Sequence, residues 1–131
     1  MDKLSNILKS DANGMSTYEY IVNNIDTCVE DMPRLVENLR RVDTTGQFFS
    51  SSARFLNATD PEMFAEWIPV LIDGAIDKDR ERRYIGSLLK SIWGEDYVER
   101  AAEISETDDN FRRIFKRIYP LEVNSDLQNI I

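Results

Sequence analysis

Hydrophobic residues recur every three or four positions along most of the chain, and clusters of turn-forming residues interrupt them at short intervals. This spacing is typical of amphipathic α-helices that bury one face in a common core. We find no alternation of the kind that predicts a β-strand, and no repeat period. The pattern therefore predicts an all-α fold, a compact single-domain bundle of about six or seven helices whose neighbours are mostly antiparallel.

The same pattern divides the chain into three parts. Residues 1–15 are predicted to form an N-terminal arm, residues 16–120 the helical bundle domain, and residues 121–131 an apolar C-terminal tail without a clear period. The bundle is predicted to open with a capping box, in which Ser16 caps a helix and Glu19 supports the cap from three residues further on. One domain with a short extension at each end is therefore expected.

A long segment from Asp60 to Ile76 is hydrophobic on most of its sides, so we expect it to form the central helix of the bundle. Asp60 and Pro61 indicate a helix start, because an acidic cap followed by proline suits the first turn. Pro69 lies inside the segment and removes one backbone hydrogen-bond donor, which predicts a kink.

One of the predicted helices carries Phe48, Phe49 and Phe55 on one side and a serine-rich opposite side. Aromatic residues often anchor protein interfaces, so we expect this helix to leave a partly open hydrophobic surface. Leu127 and Ile130 make the C-terminal tail too hydrophobic for a free end, so the tail is expected to pack on the bundle or on another chain. A homodimer would satisfy both observations.

The composition is that of a globular chain rather than a disordered one. Of 131 residues, 42% are hydrophobic and 31% are charged, which is enough to form one core. No hydrophobic run approaches the roughly 20 residues that span a bilayer, and no signal-peptide pattern opens the chain. Cys28 is the single cysteine, so no internal disulfide can form. These observations favour a cytoplasmic protein.

Motifs for catalysis and for cofactor binding are absent from the sequence. There is no histidine, which removes the usual nucleophile-activating base and the histidine-containing metal sites. The five glycines form no phosphate-binding string, and one cysteine cannot hold a metal. We therefore expect no enzyme activity, no metal and no cofactor. Glu103, Glu106 and Asp109 partly match a carboxylate metal motif, which makes a metal-dependent hydrolase the weakest of three hypotheses.

The net charge of −8 is distributed unevenly. Residues 78–94 and 110–120 are net basic, whereas residues 95–109 between them are net acidic. In the acidic block, Glu99 and Glu103 belong to a ladder of like charges on one predicted helix face, which costs stability. The basic side chains of the next predicted helix lie opposite its hydrophobic stripe: Arg112, Arg113, Lys116 and Arg117. The two helices either neutralise each other across a hairpin or contact a partner.

The leading hypothesis is a non-catalytic, cytoplasmic protein-interaction or regulatory module whose partner is another protein or a second copy of the same chain. The alternative is a nucleic-acid-associated protein that uses the basic blocks 78–83 and 112–117, although a charge of −8 weakens attraction to phosphate. No membrane contact is expected. The candidate partner-binding residues are Arg112, Arg113, Lys116, Arg117, Glu99, Glu103, Phe48, Phe49, Phe55, Leu127 and Ile130.

Overall fold

Backbone hydrogen bonds organise residues 2–120, the part of the chain that this computed structural model describes, into eight α-helices without a strand. The helices are α1 (Lys3–Ser10), α2 (Met15–Asn23), α3 (Met32–Val42), α4 (Gln47–Thr59), α5 (Trp67–Lys78), α6 (Gly86–Trp93), α7 (Ala101–Thr107) and α8 (Asp109–Ile118). A short 3₁₀-helix at Cys28–Asp31 leads into α3. The predicted all-α class is confirmed, with eight helices rather than six or seven.

Helices α4 and α5 share the centre of the packing. α5 contacts α3, α4 and α8, while α4 also contacts α2 and α6. The even-numbered helices form a series, because α2 contacts α4, α4 contacts α6, and α6 contacts α8. All eight helices contribute to one hydrophobic core. Its fully buried side chains include Ile21, Leu39, Phe49, Leu71, Leu88 and Phe111.

The close approach of α4 and α5 occurs at Gly74. A Cβ atom at this position would lie 2.4 Å from Cε1 of Phe49, so only glycine permits the approach. On the side opposite the phenylalanines, Ser50 is buried as well and Ser51 is half-buried, while Arg54 is exposed. Helix α4 is therefore enclosed more completely than its pattern of hydrophobic and polar residues predicts.

The start of α5 differs from the prediction. Asp60 follows the last residue of α4, residues 61–66 form turns, and α5 begins only at Trp67. The carboxylate of Asp60 accepts the backbone N–H of Met63 at 3.1 Å, so the predicted cap is satisfied within a turn. Pro69 is the third residue of α5, where a backbone N–H has no acceptor inside the helix, so no kink is required.

The start of α2 also differs from the prediction. The helix begins after Gly14, which has a φ of +104°, so the capping box predicted at Ser16 is wrong. The side chain of Asp11 binds the free N–H groups of this helix start instead. Its Oδ1 accepts from Gly14 at 2.8 Å, and its Oδ2 accepts from Thr17 at 2.9 Å. Asp11, five residues before Ser16, therefore supplies the cap that was expected from the serine.

The predicted N-terminal arm contains α1, which shares the core of the bundle through Leu4 and Leu8. Asp2 caps this helix by accepting the backbone N–H of Ser5 at 2.7 Å, and it pairs with Arg34 of α3 at 3.3 Å. The Ser5 hydrogen bond first, and then Arg34, lower the pKa of Asp2 to about 2. Helix α1 therefore packs as part of the bundle.

Four junctions between successive helices use one device, an aspartate that follows one helix and caps the next. They are Asp11 between α1 and α2, Asp43 between α3 and α4, Asp79 between α5 and α6, and Asp108 between α7 and α8. In each, the aspartate N–H closes the preceding helix, while its carboxylate accepts N–H groups from the residues that follow. Each junction is named here by its aspartate.

The first three junctions pack on one another through glycine. Gly14 and Gly46 each follow their aspartate by three residues, and their φ angles are +104° and +81°. A Cβ atom on Gly14 would lie 3.2 Å from Cβ of Asp43, and one on Gly46 would lie 3.1 Å from Cβ of Asp79. Each glycine therefore lets one junction pack against the next. In the Asp79 junction the corresponding position holds Arg82, with a φ of +60°.

Candidate functional site

The basic side chains of α8 line a surface groove of about 330 Å³, the α8 groove: Arg112, Arg113, Lys116 and Arg117. Two of them fix α8 against α5. Arg113 pairs with Asp73 at 2.8 Å, and Arg117 donates to the carbonyl oxygens of Ile76 at 2.8 Å and of Asp79 at 3.4 Å. A cation in this place is favourable because the C-terminal end of a helix carries partial negative charge.

The other two cations of the α8 groove are exposed. Arg112 pairs with Asp109 in the first turn of the same helix, and Lys116 forms no ion pair within residues 2–120. Exposed ion pairs contribute little to stability, because water screens them and the side chains lose freedom. Arg112 and Lys116 are therefore available to a ligand.

The acidic ladder does not neutralise this groove. α7 begins only at Ala101, so Glu99 lies in the preceding turn and does not share a helix face with Glu103. Both side chains are exposed, and neither forms an ion pair with another described residue. Neutralisation across the α7–α8 hairpin is therefore corrected: the acidic partners of the α8 arginines lie on α5 and on α8 itself.

The basic block 78–83 joins the α8 groove at the end of α5. The guanidinium of Arg82 donates to the carbonyl oxygen of Arg117 at 3.3 Å, although the two residues are 35 positions apart. Arg117 in turn donates to the carbonyl oxygen of Asp79. The blocks 78–83 and 112–117 therefore meet at one end of α5, a contact that their sequence separation did not indicate.

Arg82 has an unfavourable backbone conformation. With a φ of +60° it is the one non-glycine residue of the described chain with positive φ. Gly14 and Gly46 hold the equivalent positions of the Asp11 and Asp43 junctions. A left-handed backbone costs a residue with a Cβ atom roughly 1 kcal/mol, and such strain is concentrated at functional sites. Arg82 is therefore a candidate binding residue in its own right.

A second concavity, of about 240 Å³, lies between the Asp43 and Asp79 junctions and is called the junction cleft. Its lining residues are Thr44, Thr45, Lys78, Asp79, Arg80, Glu81, Arg83 and Tyr84. The carboxylate of Asp79 is occupied by the backbone N–H groups of Arg83, Tyr84 and Ile85, at 2.7 to 3.0 Å. Glu81 pairs with Arg83 at 2.8 Å. The cations of the cleft therefore outnumber its remaining carboxylates.

The described hydrophobic candidates, Phe48, Phe49 and Phe55, line neither the α8 groove nor the junction cleft. Phe48 and Phe49 are 6% and 0% exposed, so the predicted open surface on α4 is corrected: their rings belong to the core. Phe55 is half-buried and packs on that core. Leu127 and Ile130 lie outside the described residues. One of the two observations behind the predicted homodimer, the open aromatic surface, is therefore not met.

The residues considered for reactive chemistry are buried or dispersed. Cys28 is fully buried, and burial, aided by the charge of Asp31, raises the pKa of its thiol to about 11. Such a thiol is protonated and shielded at neutral pH. Glu103, Glu106 and Asp109 are divided between α7 and α8. Within residues 2–120, no group of three metal-binding side chains is close enough to hold an ion.

The buried junction aspartates and Arg82 are the features that the hydrophobic pattern did not reveal. The string Asp-x-x-Gly occurs at Asp11 and again at Asp43, each time directly before a hydrophobic helix. That recurrence was the available signal for a shared helix cap. Nothing in the sequence marks Asp79 in the same way, because Arg82 replaces the glycine.

Comparisons of this chain with protein-family models, with curated proteins and with solved structures found no match. Over the described residues, no helix combines the length and the hydrophobicity that spanning a membrane requires. The α8 groove and the junction cleft are therefore the features of the chain that indicate a function.

Proposed function

We propose that this protein is a non-catalytic interaction module that binds an acidic segment of a partner protein in the α8 groove. The observation that carries the proposal is the α8 groove itself, a shallow surface lined by four cations from one helix of a chain with a net charge of −8. Complementary charge accelerates association and selects among partners. A regulatory role, in which the module controls its partner, is part of the same proposal.

Two cations of the groove are already held in place for a ligand. Arg113 is fixed by Asp73, and Arg117 by the carbonyl oxygens at the end of α5. Binding a carboxylate therefore costs these two side chains little conformational entropy. Lys116 forms no ion pair with another described residue, and Arg112 forms only an exposed pair with Asp109 that a ligand can displace. Arginine also offers a planar pair of donors that fits a carboxylate.

A short acidic segment suits the groove better than a long polyanion. At physiological salt, exposed charges act over about 8 Å, so a segment confined to the groove interacts mainly with the local cations. A nucleic acid extends beyond the groove and would meet exposed acidic side chains such as Glu99 and Glu103. These repel phosphate, which opposes the electrostatic term on which nucleic-acid affinity depends.

The test removes the exposed cations of the groove and leaves the structural ones. The double variant Arg112→Gln with Lys116→Gln keeps Arg113 and Arg117, which hold α8 against α5. A fluorescent peptide rich in glutamate and aspartate serves as the probe. We expect its affinity to fall about tenfold or more, because two charge-assisted contacts are lost. Unchanged circular dichroism would show that the fold is intact.

The matched control is Arg40→Gln with Arg54→Gln. Arg40 pairs with Glu37 three residues earlier at 3.7 Å, as Arg112 pairs with Asp109, and Arg54 is exposed on α4. The control changes the net charge equally, so peptide binding should stay near the unsubstituted value. Equal losses in both variants would mean that only overall charge matters, and full retention in both would exclude the α8 groove.

A second candidate function is nucleic-acid binding, favoured by the contact between Arg82 and Arg117 that joins the two basic blocks. A single-stranded RNA oligonucleotide is the probe for it. Affinity that falls steeply between low and moderate salt, and that exceeds affinity for the acidic peptide, would replace the acidic segment with a nucleic acid. A shallow dependence on salt would support the protein partner.

The cytoplasmic location, the homodimer and the antiparallel packing of neighbouring helices stay predictions. The proposed acidic partner does not require a dimer, because the α8 groove lies on one chain. Light scattering measures the mass of the protein in solution and tests the dimer directly.

A further inference from the structure

We propose that the junction cleft binds a phosphate monoester carried by the acidic segment that occupies the α8 groove. The partner would then be a phosphorylated acidic segment rather than an acidic segment in general. This inference rests on the proposed function, since the groove and the cleft would hold the same partner.

The size and the lining of the cleft suit one phosphoryl group. Its volume of about 240 Å³ is below the roughly 300–1,000 Å³ of pockets that enclose drug-sized ligands. Lys78, Arg80 and Arg83 supply positive charge, and Thr44 and Thr45 supply hydroxyl donors. Clusters of arginine with additional donors are a recurring receptor for phosphorylated motifs.

The one exposed carboxylate of the cleft is easily displaced. Glu81 pairs with Arg83, but the two side chains are 69% and 64% exposed. An exposed pair of this kind contributes little to stability, so a phosphate with up to two negative charges would outcompete Glu81 for Arg83. Asp79 is 2% exposed, and its carboxylate is committed to backbone N–H groups.

The cleft and the groove are connected at the end of α5. Asp79 lines the cleft, and its carbonyl oxygen accepts a hydrogen bond from Arg117 of the groove at 3.4 Å. Lys78 is the last residue of α5 and also lines the cleft. A peptide that lies in the α8 groove therefore has a second basic site adjoining the groove at Arg117.

The decisive experiment compares one acidic peptide with the same peptide carrying a phosphoserine, both titrated into the full chain by calorimetry. We expect the phosphopeptide to bind about tenfold more tightly. The double variant Lys78→Gln with Arg80→Gln should abolish this difference, while the unphosphorylated peptide keeps its affinity for the intact α8 groove. If the phosphopeptide loses its higher affinity only in Arg112→Gln with Lys116→Gln, and keeps it in Lys78→Gln with Arg80→Gln, the phosphate does not bind in the cleft and this inference is overturned.

A gain of affinity is expected from Glu81→Gln, which removes the competing carboxylate and frees Arg83. Phosphopeptide binding should tighten severalfold. Glu37→Gln is the matched control, because it makes the same change in charge and frees Arg40 from an exposed pair on α3. Equal tightening in both variants would overturn a localised phosphate site.

The outcomes separate this inference from the proposed function. Equal affinities for the two peptides, both lost in Arg112→Gln with Lys116→Gln, would overturn the phosphate site and leave the proposed function standing. If neither peptide binds, the proposed function and the phosphorylated partner are both overturned, and inorganic phosphate then tests the phosphate site in the cleft alone. Saturable shifts of the backbone amide signals of Thr44, Thr45 and Arg83, absent in Lys78→Gln with Arg80→Gln, would support the phosphate site; no shift would overturn it.

Discussion

The Asp43 junction and the Asp79 junction share a backbone design, but a different residue type adopts the positive φ in each. In both, a buried aspartate accepts the N–H groups of the residues five and six positions ahead. In both, the residue three positions ahead has a positive φ. That residue is Gly46 in the first junction and Arg82 in the second. Gly46 is buried beside the carbonyl oxygen of Ala75, whereas Arg82 is exposed.

The difference separates a junction that closes the fold from one that carries charge to the surface. Glycine adopts a positive φ without steric cost and leaves room for the next helix. Arginine in the same conformation costs roughly 1 kcal/mol but places a guanidinium beside the α8 groove. A strained cation between two basic concavities supports this end of the molecule as the one that binds.

Gly46→Ala is expected to have the largest effect, because Gly46 is where the Asp43 junction packs against the Asp79 junction. The added Cβ atom would lie 3.0 Å from the carbonyl oxygen of Ala75 and 3.2 Å from the nitrogen of Asp79. These are backbone atoms that cannot move independently, and the residue would also be held at positive φ. We expect the free energy of unfolding to fall by about 3 kcal/mol, measured by urea denaturation.

Alanine substitutions at two further glycines provide smaller losses of stability for comparison with Gly46→Ala. A Cβ atom on Gly14 would lie 3.1 Å from Cδ2 of Phe48, and 3.2 Å from both Cδ2 of Leu39 and Cβ of Asp43. The two Cδ2 atoms are ends of side chains that can shift and none of the three atoms is backbone, so Gly14→Ala should cost about 1–2 kcal/mol. Gly86 has its nearest neighbour at 3.4 Å, so Gly86→Ala should stay within about 1 kcal/mol of the unsubstituted protein. Similar losses for Gly46→Ala and Gly86→Ala would contradict the stacking of the junctions.

The Asp11 junction adds a second contrast, in how its aspartate ionises. At Asp11 burial raises the pKa, but the hydroxyl of Thr17 and three backbone N–H groups outweigh it, so the pKa is lowered. At Asp43 no hydroxyl donates, because Phe49 stands where Thr17 stands in the other junction. Burial therefore outweighs the backbone N–H groups, and the pKa of Asp43 is raised.

A smaller effect is therefore expected in how stability depends on pH, with opposite signs for the two aspartates. Asp11 adds to the free energy of unfolding at pH values above the pKa that it has in the unfolded chain. This stabilisation is lost as the pH falls through the lower pKa of Asp11 in the folded protein. Asp43 adds to the free energy of unfolding at pH values below the pKa that it has in the unfolded chain. This stabilisation is lost as the pH rises through the higher pKa of Asp43 in the folded protein.

The advantage of the unsubstituted protein over Asp11→Asn should therefore shrink below about pH 4, and its advantage over Asp43→Asn should shrink above about pH 4. Urea denaturation at a series of pH values measures both stability differences. If the two differences change with pH in the same direction, the opposite pKa shifts of Asp11 and Asp43 are contradicted.

The smallest expected effect is a gain in stability from Arg82→Gly. Relief of the left-handed conformation should exceed the loss of an exposed hydrogen bond and the added freedom of the unfolded chain, for a net gain of about 0.5 kcal/mol. The same variant should weaken binding of the acidic peptide. Arg80→Gly is the control, since Arg80 has no positive φ and gains nothing from glycine. A larger loss at Arg82 than at Arg80 would show that the contact with Arg117 outweighs the strain.

Local patterns explain which helices were predictable from the sequence. α8 was predictable because Phe111, Ile114 and Ile118 recur at helical spacing and Pro120 follows the end of the helix. The start of α5 was not, because Asp60 provides a cap that serves a single turn as well as a helix. A helix cap depends on a few neighbouring residues, whereas the continuation of the chain into a helix depends on tertiary packing against other parts of the protein.

The candidate site, like the helices, was predictable from the sequence only in part. The four basic residues of α8 were predictable as a group, since a hydrophobic stripe defines the opposite, polar face of its helix. Their partners were not, because Arg113 and Asp73 are 40 residues apart, and Arg117 and Ile76 are 41 apart. The junction cleft combines loops from two junctions, so no single stretch of sequence indicates it.

The burial of Cys28 gives the protein a built-in reporter of its own motions. The chain has one thiol, and it lies without exposed surface between α2 and α3. A thiol-reactive reagent therefore reaches Cys28 only when that segment opens, and the labelling rate in native buffer measures the free energy of the opening. Local unfolding in this half of the molecule can thus be followed in the natural sequence, without introducing a probe.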